Sequence, residues 1–162
     1  MKKFTSLFLS TLLFTGAFFA LPVANINTSF NSASYSYAIT KTNYFSGQTG
    51  TMNSLYNPYS GAVESKKYNI PSPTLPKDSK VSTVVANVTF SSKGSPFKLY
   101  VESPNGSIYS KLIQKSGEVN FTEFKDEKPN GTWKVSIITA DTNPYKPSTG
   151  SARLKINYTY EQ

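Results

Sequence analysis

The chain has no cysteine and no histidine, and Arg153 is its only arginine. Without cysteine there are no disulfides, thiol nucleophiles, iron–sulfur clusters or thiolate zinc sites. Without histidine the commonest general base and the commonest imidazole metal ligand are gone. A lone arginine argues against specific nucleic-acid readout, which relies on guanidinium forks. No sustained helical period and no internal repeat is visible, and the length, 162 residues, suits one domain.

The N-terminus carries a targeting pattern. Met1-Lys2-Lys3 is positive, and the uncharged stretch from Phe4 to Ala24 follows, rich in Leu and Phe. This reads as a secretory signal peptide. Interspersed Ser and Thr, Pro22 at its end and the lack of a following basic cluster distinguish it from a membrane anchor. Small residues at −3 and −1 place cleavage after Ala38 (Ser36-Tyr37-Ala38), with Ala24 as the alternative, so residues 1–38 are expected to be removed. Losing Lys2 and Lys3 takes the formal charge from +8 to +6. An exported product of this size without cysteine reads more easily as bacterial than as animal. A secreted, extracellular location is expected, with wall association favoured by the excess lysine, and no membrane span after processing.

Two regions follow. Residues 39–79 are rich in Tyr, Asn, Ser, Gly and Pro, which leaves room for short strands at Tyr44–Phe45 and Ala62–Ile70 and then a stiff Pro-rich connector. From residue 80 to 162 apolar residues alternate with polar ones. Val84, Ala86, Val88 and Phe90 share a face. So do Phe97, Leu99 and Val101; Val119 and Phe121; Trp133, Val135 and Ile137; and Ala152, Leu154, Ile156, Tyr158 and Tyr160. A period of two, punctuated by turn signals every 8–12 residues or so, predicts half-buried strands in a sandwich or barrel. The expected fold is an all-β, two-sheet antiparallel sandwich. Its core should hold Trp133, Val135 and Ile137 against Leu99, Val101, Leu154 and Ile156.

The order of several pieces is distinctive. Ile70-Pro71 leads into Val81–Val88; a later strand runs into Ser103-Pro104-Asn105-Gly106, followed by Leu112-Ile113; then come Pro129-Asn130-Gly131-Thr132-Trp133-Lys134-Val135 and a last strand from Gly150. From Tyr68 to Tyr160 this resembles the P domain that follows the catalytic domain of kexin- and furin-like proprotein convertases and of many bacterial secreted proteases. The resemblance implies a jelly-roll sandwich of about eight strands. Pro104, Asn105 and Gly106 read as one hairpin device, and Asn130-Gly131 as another.

Catalytic candidates are few. Ser95 and Lys98 have Ser-x-x-Lys spacing, but a strand sends positions three apart to opposite faces. Glu123, Asp126 and Glu127 cluster among lysines, while Glu102, Glu118 and Asp141 lie elsewhere. The cluster reads as a solvated loop, and calcium is the one cation its oxygen chemistry would suit. No cofactor is otherwise expected. The resulting expectation is a non-enzymatic, monomeric binding or accessory module whose partner is an envelope polymer, a carbohydrate or another secreted protein. The alternatives are a small hydrolase using two carboxylates 5–10 Å or so apart and a basic toxin or antimicrobial protein acting on membranes.

Overall fold

The computed structural model describes residues 38–162; the proposed signal region before Ala38, with the alternative cleavage point at Ala24, lies outside them. Ten strands and no helix occur among the described residues. They are β1 (Thr40–Gln48), β2 (Met52–Asn57), β3 (Gly61–Val63), β4 (Tyr68–Pro71), β5 (Lys80–Phe90), β6 (Phe97–Glu102), β7 (Ile108–Ile113), β8 (Gly117–Phe121), β9 (Thr132–Thr139) and β10 (Ser148–Glu161).

The strands form two antiparallel sheets. In one, β10 is flanked by β5, with β8 beyond it, on one side, and by β1 and the β2–β3 hairpin on the other; the second has the order β4-β9-β6-β7. If the hairpin is set aside, the chain enters the sheets in the order first, second, first, second, second, first, second, first. That is the wrapping of a jelly roll, with strand orders β1-β10-β5-β8 and β4-β9-β6-β7. The fold is an all-β sandwich.

Alternation decides which residues fill it. Val84 and Ala86 of β5, Phe97, Leu99 and Val101 of β6, Trp133, Val135 and Ile137 of β9, and Leu154 and Ile156 of β10 are all fully buried. A register shift between Asn157 and Tyr158 lets Val81 and Tyr158 pair while both stay in the core. The loop after β8 adds Phe124, which stands edge-on to Trp133 (ring centroids 5.1 Å apart) and to Tyr109 (4.8 Å). The indole Nε1–H donates to the Pro129 carbonyl at 3.1 Å, so the buried ring keeps its hydrogen bond.

Residues 39–79 are woven into this core rather than standing apart from it. β1 is nine residues long, not two, and pairs with β10 along its whole length, from Thr40↔Glu161 to Gln48↔Arg153. β4 pairs with β9 in the other sheet, Ile70 opposite Trp133. Only Phe45 of β1 is buried, so the strand carries no apolar alternation for a sequence reading to detect. The last strand also starts earlier than Gly150: Ser148–Gly150 pair with Met52–Ser54.

Candidate functional site

The outer face of the β4-β9-β6-β7 sheet is formed by the residues that alternate with the core. Register sets them in rows across three strands: Lys134, Glu102 and Ile108; Ser136, Tyr100 and Ser110; Ile138, Lys98 and Leu112. The connector from β3 to β4 closes one side. Ser65 holds it there, donating its N–H to the Ile137 carbonyl at 2.9 Å and accepting the Ile137 N–H on Oγ at 3.0 Å. This brings Glu64 and Lys67 over the sheet.

Glu64 and Lys67 with Tyr100, Glu102, Ile108, Lys134, Ser136 and Ile138 line a shallow cleft of about 190 Å³. Glu102 accepts from Lys134 Nζ at 2.6 Å and from Lys67 Nζ at 3.1 Å. Ser136 Oγ donates to Glu64 Oε1 at 2.6 Å, and that same oxygen is 3.9 Å from Lys67 Nζ. Hydrogen bonds from Lys134 and then Lys67 hold the Glu102 carboxyl below its ordinary pKa, and the Glu102 contact raises Lys67 above its own. Two ammonium groups and two carboxylates therefore face one another, and the cleft is locally neutral. Its remaining wall is Tyr100, Ile108 and Ile138. Such a surface offers donors, acceptors and an apolar patch together.

The residues singled out from sequence sit elsewhere. Trp133, Val135, Ile137, Leu99, Val101, Leu154 and Ile156 are interior. The two turn motifs meet at one end of the sandwich. A Cβ on Gly131, whose φ is +124°, would lie 2.7 Å from the Cβ of Pro104. Asn105 Nδ2 donates to Glu127 Oε2 at 3.2 Å and to the Lys128 carbonyl at 3.4 Å, while Gly106 takes φ +90°. Asn130 is exposed beside Gly131. Ala38 is exposed immediately before Ile39, the first residue to join the sheet, through a backbone pair with Gln162.

Ser95 is buried and donates to Asp141 Oδ2 at 2.6 Å, a bond that lowers the Asp141 pKa, whereas Lys98 is exposed on the outer face of β6. The two do not form a catalytic pair. The acidic loop is dispersed: Glu123 bonds Lys111, Glu127 bonds Asn105, and Asp126 sits in a left-handed turn (φ +67°). No group of three or more acidic side chains able to hold a metal ion occurs among the described residues.

Sequence reasoning missed the cleft. Glu64 and Lys67 lie on an irregular connector more than 30 residues before Glu102, and the pairing of Ser65 and then Tyr68 with β9 brings them there. The nearest available signal was the outward phase of Tyr100, Glu102, Lys134 and Ser136 on adjoining strands.

No family model matches the chain, and no curated protein matches it. Among solved structures it is similar to a crystal structure of FlhE, at 13% sequence identity and a TM-score of 0.46, over 74% of this chain and 96% of that one.

Proposed function

We propose that this protein is an exported, non-enzymatic jelly-roll module that binds neutral carbohydrate in the outer-face cleft of the four-stranded sheet. The observation that carries the reading is the balanced array of Glu64, Lys67, Glu102 and Lys134 beside Tyr100. A sugar ring presents hydroxyls at its rim and C–H bonds on its face. Carboxylates accept from the hydroxyls, ammonium groups donate to them, and Tyr100 with Ile108 takes the apolar face. A neutral cleft gives no Coulombic preference for a charged ligand. Export is supported by the N-terminal pattern and by Ala38, where cleavage would leave β1 intact. Relation to the P domain is supported by the strand order and by the packing of Pro104 on Gly131, which joins its two best-matching motifs.

The test is affinity electrophoresis of the processed chain through gels containing soluble neutral polysaccharides. Retardation is expected, and Tyr100→Ala should weaken it roughly tenfold, the loss of about 1.4 kcal/mol of stacking and apolar contact. Full retention of binding by Tyr100→Ala and Glu102→Gln together would refute the site.

One observation favours a hydrolase as the second reading. Glu64 and Glu102 both contact Lys67, so their facing oxygens lie at most about 7 Å apart, within reach of the spacing of a carboxylate pair that cleaves glycosidic bonds. The lysines keep the Glu102 carboxyl charged, which suits the nucleophile or base of such a pair, and Glu64 would have to supply the acid. Release of reducing ends that disappears in Glu64→Gln would establish this reading.

A further inference from the structure

The outer face of the other sheet manages charge differently. Burial of Ala152, Leu154 and Ile156 turns Ser151, Arg153 and Lys155 of β10 outward. Arg153 lies between Gln48 of β1 and Asn87 of β5; Lys155 lies between Ser46 and Val85. Arg153 donates to Gln48 Oε1 at 3.4 Å, and Lys155 Nζ sits 4.3 Å from the centre of the Tyr44 ring. The ion pairs found among the described residues involve Lys67, Lys111 and Lys134, and neither Arg153 nor Lys155 has a carboxylate within 4.0 Å. Glu118 shares the row of Arg153, but it stands two strands away on β8, about 10 Å at the usual strand spacing. Further along the same face Lys80, opposite Thr159, shares its surroundings with Asp78 and Glu161, so the cationic patch is centred on Arg153 and Lys155.

We propose that this face binds a linear phosphodiester-linked polyol chain. Arg153 and Lys155 are two residues apart on one strand, a spacing of about 7 Å, and each can seat one of two successive phosphates. Ser46, Asn87 and Ser151 supply hydrogen bonds to the intervening hydroxyls. A bilayer is a poorer fit: along β1, β5, β8 and β10 the one large apolar side chain exposed within this face is Tyr44, and the Lys155 ammonium sits over its ring. Single-stranded nucleic acid stacks successive bases on several aromatic rings, and this face offers one exposed ring, Tyr44, with Lys155 already over it. The inference is independent of the carbohydrate cleft, which lies on the opposite sheet.

The experiment titrates the processed chain with synthetic poly(glycerol phosphate), with phosphatidylglycerol vesicles and with oligo(dT), at equal phosphate concentration and at about 50 and 200 mM salt, where phosphate contacts are strongly salt-dependent. Tightest binding to poly(glycerol phosphate) is expected, weakened at least tenfold in the Arg153→Gln/Lys155→Gln pair. The Lys93→Gln/Lys146→Gln pair removes the same charge from loops and should stay within twofold of the parent. Melting curves check that each variant folds; if the first pair does not, Arg153→Gln alone carries the test. Equal losses in both pairs would reduce the effect to net charge and overturn the site. So would equal or tighter binding of vesicles or oligo(dT), or no binding of poly(glycerol phosphate) at low salt.

Discussion

The cleft on the outer face of the four-stranded sheet neutralises its charges locally, and the outer face of the six-stranded sheet leaves its central cations without carboxylates. Both faces arise from the same alternation over one core. The difference lies in cross-strand register: Glu102 falls directly opposite Lys134, while Arg153 and Lys155 fall opposite Gln48, Asn87, Ser46 and Val85. A net positive chain can thus present one surface suited to neutral polyhydroxylated ligands and another suited to polyanions. Net charge alone does not distinguish the two faces; the placement of nine acidic residues among seventeen basic ones does.

That contrast needs an intact core, and the largest effect comes from removing its centre. Trp133→Ala should destabilise the protein by roughly 3–5 kcal/mol, the range for deleting a large buried aromatic, and should weaken both faces together. The native emission should be blue-shifted and protected from iodide. A red, freely quenched emission would contradict the buried indole.

Next in size are the two turns. Gly131→Ala meets both a left-handed backbone and the Pro104 side chain, while Gly106→Ala, at φ +90°, has nothing within 4 Å. The first should cost about 2–4 kcal/mol, combining backbone strain with overpacking, and the second about 1–2. Urea denaturation of the pair measures the gap. Equal losses would mean that the contact between the two turns adds nothing. This end of the sandwich carries the 103–107 turn and so bears on Glu102 at the end of β6; the six-stranded face should feel the change less.

How far the sequence foretold this arrangement differs by region. Phe97 to Val101, Trp133 to Ile137 and Ala152 to Tyr158 showed their inward faces because each strand is half-buried. β1 did not, because its neighbours on β10 contribute most of the apolar surface and only Phe45 turns in. Phe124 escaped notice because it lies in a charged loop off the strand period, yet it closes the core against Trp133. The turn glycines were legible as punctuation, but that Gly131 abuts Pro104 is a tertiary fact. The cleft was hidden for the same reason: register and a connector assemble it, and neither is a local property.

The faces should also separate by ligand. Tyr100→Ala should reduce retention by neutral polysaccharide roughly tenfold and leave poly(glycerol phosphate) binding within twofold; the Arg153→Gln/Lys155→Gln pair should do the reverse. Sites this far apart with no shared partners behave additively to within about 0.5 kcal/mol. A triple variant whose losses differ from the sum by more than that would mean that the faces communicate through the core.

The smallest expected effect is the response to acid. The Glu102 carboxyl titrates below its ordinary range in the folded protein because Lys134 and Lys67 hydrogen-bond its charged form. A carboxyl depressed in this way contributes stability above its unfolded pKa, about 4.3, and loses it as pH falls through the lower folded value. Lys67 is raised, so its share is present below its unfolded pKa, about 10.4, and fades as pH climbs through the folded value. Between those limits Glu102 and Lys67 both keep their charges. The lysines are well exposed, so the array is worth no more than about 1 kcal/mol, a few degrees in melting temperature at this size. The melting difference between the parent and Glu102→Gln should therefore be flat from about pH 6 to 9 and shrink below about pH 4.5. Asp141 and Glu123 are also depressed, by Ser95 and Lys111 respectively, but they are common to both proteins and cancel in the difference. The Arg153→Gln/Lys155→Gln pair removes no carboxylate contact, so its melting offset should not decay in the same way; relief of repulsion among the remaining cations should move it toward stabilisation as the carboxylates are protonated. A Glu102→Gln difference that persists undiminished to pH 2 would show that Glu102 acts through shape rather than charge, and the electrostatic contrast between the two faces would then fail on this side.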